Sequence, residues 1–437
     1  MLAIGFTSVA ISAEKSAPEA ARFPARLSLS QAKEIALEHN WDLVAAKANV
    51  EQAVALKMVA HEFPNPTLSL STQQINVDNH PSSTAAGNSF WDRNYDSIFA
   101  VNQLFEIGGK RSLRQASAMA GLRSAEASFQ DARRTLDLGV TKAYVAALLA
   151  ETNVRVLHQT AESLQHEAKI AETRLNAGDL SKSDKAQIEI AASRAELDAE
   201  AALSAAESAR VAVDILLGKK TARGQWMAVD SLNDLATAEV PQGVAAPRPD
   251  LVAAQAALEK AEKDLRLQKA MRIPDPTFLA QYEHQPPDMP NTIGLGVSLP
   301  LPLWNFNGGN IHAAEASRDQ ALAQLGKVET QISSDIAVAE VAWREANQRW
   351  HHYENTIKPR SAEVLKTVSY AYQKGGASLL DLLSAERNDN DIRLATAQAM
   401  ADSATAAATL ANVRNLQPAA ASSTSEPEKK KHAPLSH

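Results

Sequence analysis

Leu136, Val140, Ala143, Ala147, Ala150, Val154, Leu157, Ala161, Leu164, Ala168, Ala171 and Leu175 follow one another in steps of four and three without a miss. That is the period of about 3.5 residues of a coiled-coil seam, not the roughly 3.6 of an ordinary amphipathic helix. The helix carrying it spans Gly109 to Ala177. At about 1.5 Å per residue it is roughly 100 Å long, wider than any single globular core, so it must lie along other long helices.

Backwards, the seam continues through Ala118, Leu122, Ala125, Phe129 and Ala132, with two successive four-residue steps around Leu136. Such a stutter locally unwinds a left-handed supercoil. Adding 196 to Ala125, Leu136, Ala147 and Ala161 gives Ala321, Ile332, Trp343 and Ile357, and the intervening positions match with the stutter included. A repeated phase defect points to an internal duplication.

Hydrophobic residues make up 45% of the 437, yet aromatics only 5%, a balance suited to closely spaced helices. The net charge of −7 and the absence of a basic patch interleaved with aromatics exclude nucleic acid as a partner. The sequence has no cysteine, which excludes disulfides, thiolate metal sites, thiol catalysis and lipid attachment through cysteine. No apolar run is long enough for a transmembrane helix.

The chain divides as follows. Residues 1–13 end in Ala10-Ile11-Ser12-Ala13 and read as the remnant of a secretory signal; 14–26 read as a linker. Residues 27–218 form a first repeat: a helix from Leu27 to Phe63, strands at about 66–77 and 96–105 around a loop at 78–94, the long helix, and a helix ending at Gly218. Residues 219–248 are a connector, 249–416 a second repeat with strands at about 276–284 and 292–301, and 417–437 a polar tail expected to be disordered. Gly108-Gly109 at the strand-to-helix turn returns as Gly308-Gly309, and Gly178 with Asp184 returns as Gly375 with Asp381. Pro359 should kink the second long helix.

Ile293, Leu295, Val297, Leu299 and Leu301 alternate with Thr292, Gly294, Gly296, Ser298 and Pro300. One apolar and one small polar face over ten residues fits a tilted membrane strand, although a soluble half-buried strand gives the same signal. The repeats collect all four strands at one end of a helical column. Four strands cannot close a barrel, and an open edge is not tolerated in lipid, so sister chains must join. Two copies of four strands leave a filled interior; three copies leave room for water. The fold class expected is therefore mainly α with membrane β.

At this point the residues resemble the TolC-like outer-membrane efflux proteins over about Leu27 to Leu416. The resemblance implies a homotrimeric barrel of twelve strands in outer-membrane lipid, continued by an α-helical tunnel through the periplasm. It further implies a periplasmic adaptor protein and an inner-membrane resistance-nodulation-division pump as partners, with no cofactor. His61-Glu62-Phe63-Pro64-Asn65-Pro66 and Glu106-Ile107-Gly108-Gly109-Lys110-Arg111 resemble the branch serving cobalt-zinc-cadmium pumps. Tyr372 matches a family gate aromatic and Asp381 a family pore carboxylate, with Asp184 its counterpart in the first half; Gly178, Gly375 and Gly376 mark the helix-tip turns. Many drug-exporting members carry an arginine where this chain has Ala377, and Ser384 takes the place of a second carboxylate, so their tyrosine-arginine constriction bond should be missing.

Catalysis has no visible home. Gly108-Gly109-Lys110-Arg111 lacks the spacing of a phosphate loop, His351 and His352 point apart on a helix, and there is no HExxH or GxSxG. The expectation is an efflux conduit for heavy-metal cations, with drug or peptide export, or a soluble coiled-coil scaffold, as the alternatives.

Overall fold

A computed structural model of the chain describes residues 24–73, 96–237, 246–285 and 289–415. The signal reading at 1–13, most of the 14–26 linker, the 78–94 loop, the end of the first strand past Gln73 and the 417–437 tail lie outside the described residues.

The expected single helix from Leu27 is two: α1 (Leu29–His39) and α2 (Trp41–His61). Asn40 breaks it, with ψ at 129°; its side chain accepts from the Leu43 N–H and donates to the Leu216 carbonyl. An Asn side chain competes with the helix for backbone groups, which makes it a cap. Ser28 caps α1, and Gln31 reciprocates to complete a capping box. The linker reading extends one residue too far, because β1 (Arg26–Leu27) pairs in parallel with β4 (Met227–Ala228) of the connector.

β2 (Thr67–Gln73) and β3 (Asp96–Leu104) lead into α3 (Lys110–Ala177), a single unbroken helix, and α4 (Lys182–Leu216) returns along it. After β4 and the short α5 (Leu232–Thr237), the second repeat runs α6 (Pro249–Ala270), β5 (Thr277–Gln285), β6 (Met289–Ser298) and α7 (Gly308–His352). A π-helical turn over Tyr353–Ile357 joins α7 to α8 (Lys358–Gln373), and α9 (Leu379–Val413) returns. β6 lies three residues earlier than the expected 292–301, since Pro300 and Pro302 cannot donate to a ladder.

Every seam position from Ala118 to Leu175 is buried or half-buried, and so are Ile188, Ala192, Ala195, Ala199, Ala202, Ala206, Ala209, Val213 and Leu216, which step by four and three along α4. One region is wider than a seam. Val140, Tyr144, Val145, Ala147 and Leu148 are buried around much of the α3 circumference, because α1, α5 and the connector pack there with Leu27, Leu217, Trp226 and Leu232. The Tyr144 ring stacks on Trp226 at 5.7 Å between centroids, and its hydroxyl donates to Asp230, whose carboxylate also accepts from the Leu29 N–H. Buried Asp214 fastens the connector by accepting from the Arg223 and Gly224 N–H groups beside Lys219.

The four long strands form one antiparallel sheet in the order β2-β3-β5-β6. Residues directly opposite share a face. The register pairs Leu70 with Phe99, Phe99 with Tyr282, and Tyr282 with Ile293; Leu68 with Val101, Val101 with Ala280, and Ala280 with Leu295. The middle of this face is thus apolar, with Thr72, Ser97 and His284 at one end and Gln103 at the other, and its large side chains are exposed, Leu295 by 84%. The other mixes Thr67, Ser69, Asn102, Gln281, Glu283, Thr292 and Ser298 with Gly294, Gly296, Ile98, Ala100, Leu104 and Leu279. Gly294 makes room there for Gln281, whose side chain would lie 2.9 Å from a Cβ at that position and would have to shift.

Candidate functional site

Two places carry residues singled out in the sequence: the helix tips, and the junction of sheet and helices.

At the tips, α3 turns into α4 and α8 into α9 by the same device. Gly178 and Gly375 take the left-handed conformation, with φ at 83° and 75°. The following amide then reaches back, Asp179 N–H to the Arg174 carbonyl and Gly376 N–H to the Ala371 carbonyl, closing the helix end. Gly376 itself has no positive φ, so its role differs from that of Gly375. Ser181 and Ser378 cap the returning helices by accepting from the backbone N–H groups of Asp184 and Asp381. The two carboxylates therefore hold the same station in their repeats, where the helix dipole favours a negative charge.

Their surroundings differ. The exposed Asp381 carboxylate accepts from both the hydroxyl and the backbone N–H of Ser378, which hold its pKa below the usual carboxylate range. For Asp184 the cap runs one way only, from its N–H to Ser181.

Tyr372 packs with Leu180, Ile188, Leu379 and Leu383, which joins the two turns of one chain at one end of the molecule. The Arg174 guanidinium lies 5.3 Å from the centre of its ring. Arg174 comes from the first repeat and was not singled out in the sequence; only the folded hairpins bring it to Tyr372. Five residues beyond Asp381 on α9, Glu386 faces α3 and accepts from Ser163 there. Burial pushes its pKa up against the pull of the Ser163 hydroxyl, and the charges of Glu167 and Asp389 push the same way. Among the described residues, no three His, Asp or Glu side chains converge as a metal site.

At the junction, the two heavy-metal-branch motifs meet. Arg111 donates to the His61 carbonyl and lies 3.8 Å above the Phe63 ring. Arg114 forks onto the Glu106 carboxylate and also reaches the carbonyls of Ala60 and Glu62. Buried Lys110 pairs with Asp275 at 2.7 Å, and Asp275 accepts from the Ile107 N–H. These motifs therefore lock the end of α2, the exit of β3 and the entry of β5 together.

Gly108 and Gly109 both have positive φ, but Gly308 and Gly309 do not. In the second repeat the left-handed position falls on Asn307, with φ at 59°, and the two glycines begin α7. Asn tolerates that conformation through local hydrogen bonds, and here its side chain donates to the Gln268 carbonyl.

Long helical hairpins ending in a four-stranded sheet with an exposed apolar face define the subunit of an outer-membrane export channel. The chain belongs to the outer membrane efflux protein family, whose sequence profile matches residues 33–219 and 240–415, one match per repeat. It is 23% identical over 366 residues to the cobalt-zinc-cadmium resistance protein CzcC of Cupriavidus metallidurans, covering 83% of each chain. It is 26% identical over 374 residues to the pyoverdine export outer membrane protein OpmQ of Pseudomonas aeruginosa, covering 80% of this chain and 77% of that one. Among solved structures, CusC superposes with a TM-score of 0.73 at 17% identity, over 88% of this chain and 91% of its own. The outer membrane protein VceC of Vibrio cholerae gives 0.72 at 20%, over 89% and 96%. These likenesses establish the fold as that of an outer-membrane channel subunit with a long helical tunnel.

Proposed function

We propose that three copies of this chain assemble into a passive export conduit for heavy-metal cations, closed at its base by the helix tips. The observation that carries the reading is the four-stranded sheet itself. Its apolar face is bare and both edges, β2 and β6, are open. Unpaired edge groups are not tolerated in lipid. Three sheets of four strands close a ring wide enough for a water-filled lumen, with the Ser, Thr, Asn and Gln face inward.

The cation assignment rests on the likeness to CzcC, on the resemblance of the junction motifs, and on Asp381 at the tip. In a trimer Asp381 supplies three carboxylates to one ring, and a water-filled constriction lined by negative charge concentrates cations. Tyr372, held by Arg174 within its own chain, is the aromatic that narrows the same level. A periplasmic adaptor and an inner-membrane pump complete the pathway. The likeness to the pyoverdine export protein OpmQ supports a second cargo, pyoverdine or a molecule like it.

Deleting the gene and measuring tolerance to zinc, cobalt, cadmium and a drug panel tests the reading. Loss of metal tolerance is expected; unchanged metal tolerance with raised drug sensitivity overturns the cation assignment and leaves the conduit.

A further inference from the structure

The two sheet-to-helix connections of the chain are unequal. β3 ends at Leu104 and α3 begins at Lys110, leaving five residues, 105–109. β6 ends at Ser298 and α7 begins at Gly308, leaving nine, 299–307. The short connection is bound down by Arg114 and Lys110, as described above. The long one reads Leu299-Pro300-Leu301-Pro302-Leu303-Trp304-Asn305-Phe306-Asn307, and its large side chains stand in the open: Leu301 by 68%, Leu303 by 61% and Trp304 by 91%. Two prolines keep it from joining any ladder, and its base is tied to the turn after α6 by the Arg272 guanidinium donating to the Phe306 carbonyl.

We propose that residues 299–306 are a membrane-interface strap, laid against the boundary of phospholipid headgroups and acyl chains at the periplasmic edge of the barrel. The inference rests on the barrel reading and goes beyond it. Three observations select lipid as the occupant. First, Leu299 and Leu301 continue the alternation of Ile293, Leu295 and Val297, so the strap extends the apolar outer face of β6. Second, ten residues of β6 at about 3.3 Å each, tilted by about 40°, cover a height of about 25 Å, the thickness of the apolar band of such barrels. The strap therefore begins where hydrocarbon ends, the depth at which an exposed tryptophan is most favourably placed. Third, a sister chain joins β6 edge-on, through backbone hydrogen bonds in the plane of the sheet, and leaves the outer face uncovered.

The absence of cysteine makes a clean test, because any introduced cysteine is unique. A nitroxide label is placed on Leu303→Cys, on Leu295→Cys within the sheet and on Glu329→Cys on α7, with Leu301→Cys as a second strap position. The full-length trimer is reconstituted in vesicles of phosphatidylethanolamine and phosphatidylglycerol, and collisions with oxygen and with a water-soluble nickel chelate are measured. At 303, collisions with nickel should be several-fold more frequent than at 295 and several-fold rarer than at 329, with oxygen following the opposite order.

A strap label as open to nickel as the one at 329 overturns the proposal. So does one immobile and hidden from both reagents, the mark of a sister subunit covering the strap. A label at 295 that avoids lipid overturns the barrel reading itself, and a lipid-exposed 295 with a water-exposed 303 overturns the strap alone.

Discussion

α3 and its duplicate in the second repeat descend from one pattern and are built differently. The first runs 68 residues without a break; the second is α7, a π-helical turn and α8. The seams match at an offset of 196 as far as Ile357 against Ala161, whereas the tips match at 197, Gly375 against Gly178 and Asp381 against Asp184. One residue has been added between, and the π turn absorbs it: the Lys358 N–H reaches five residues back to the Tyr353 carbonyl. Pro359 stands just beyond, with no N–H to give and a ring that would crowd the Asn355 carbonyl of a regular helix.

The defect is also where hydrogen bonding is poorest. Trp350 Nε1, Glu354 Oε2 and Ser361 Oγ are buried without a hydrogen-bond partner in the protein. At the tip offset, Ser361 corresponds to Leu164, which packs into an apolar cluster in the first repeat. The lesson is a division of labour: an unbroken helix makes the first repeat a rigid strut, while the second has a weak point about 30 Å above the tip.

The largest effect expected from this asymmetry lies at the junctions. Lys110→Met takes the cation from the largely buried Asp275 carboxylate and removes the hydrogen bond to the Ile273 carbonyl, and should cost about 3 kcal/mol. Asn310→Ala, in the first turn of α7, should cost less than about 1 kcal/mol. Urea unfolding of the detergent-solubilised protein compares the two, and equal losses would break the contrast. Next, deleting Asn355 together with Pro359→Ala should rejoin α7 and α8. Amide exchange over residues 358–373 should slow by about thirtyfold, equivalent to about 2 kcal/mol of local stability. Exchange that stays as fast as before would show that the looseness is not in the bulge.

A smaller gain, about 1 kcal/mol, is expected from Ser361→Ala, which removes a buried hydroxyl without a partner; a loss of melting temperature would contradict it. Smallest is a pH effect at the tip. Because Ser378 depresses the Asp381 pKa, that carboxylate stays charged as pH falls through the ordinary carboxylate range and is neutralised only below it. The stability it confers follows the same sign, present above its unfolded value and lost as pH falls through the depressed one. Cation selectivity in planar bilayers should therefore persist into mild acid, and Ser378→Ala should raise the pH at which it fades. Asp381→Asn should abolish that acid limb, and unaltered reversal potentials would remove Asp381 from the pore.

Much of this was legible in residue order. The seams, the stutter, the doubling and the turns at Gly178 and Gly375 all depend on neighbours within a few positions. The misses have a common cause. Asn40 looked like any polar residue until its side chain met the Leu216 carbonyl, 176 residues away. Gly308 and Gly309 looked like Gly108 and Gly109, but Asn307 had already taken the left-handed turn. Lys110 and Arg111 were read beside a glycine pair, and Arg114 passed unremarked, because their partners lie on α2 and before β5. The π turn had a sequence signal, the change of offset from 196 to 197, and Pro359 marked its neighbourhood.

Periodicity and duplication are local properties, because backbone geometry and side-chain spacing set them within a turn or two, and residue order was enough for them. Which faces of the long helices are covered, how Tyr144 comes to be enclosed, how Arg174 reaches Tyr372 and how the junction motifs become a clamp were settled only by packing between segments up to 278 residues apart. Contact energy across such separations depends on where the whole chain places each surface, and no local pattern encodes that.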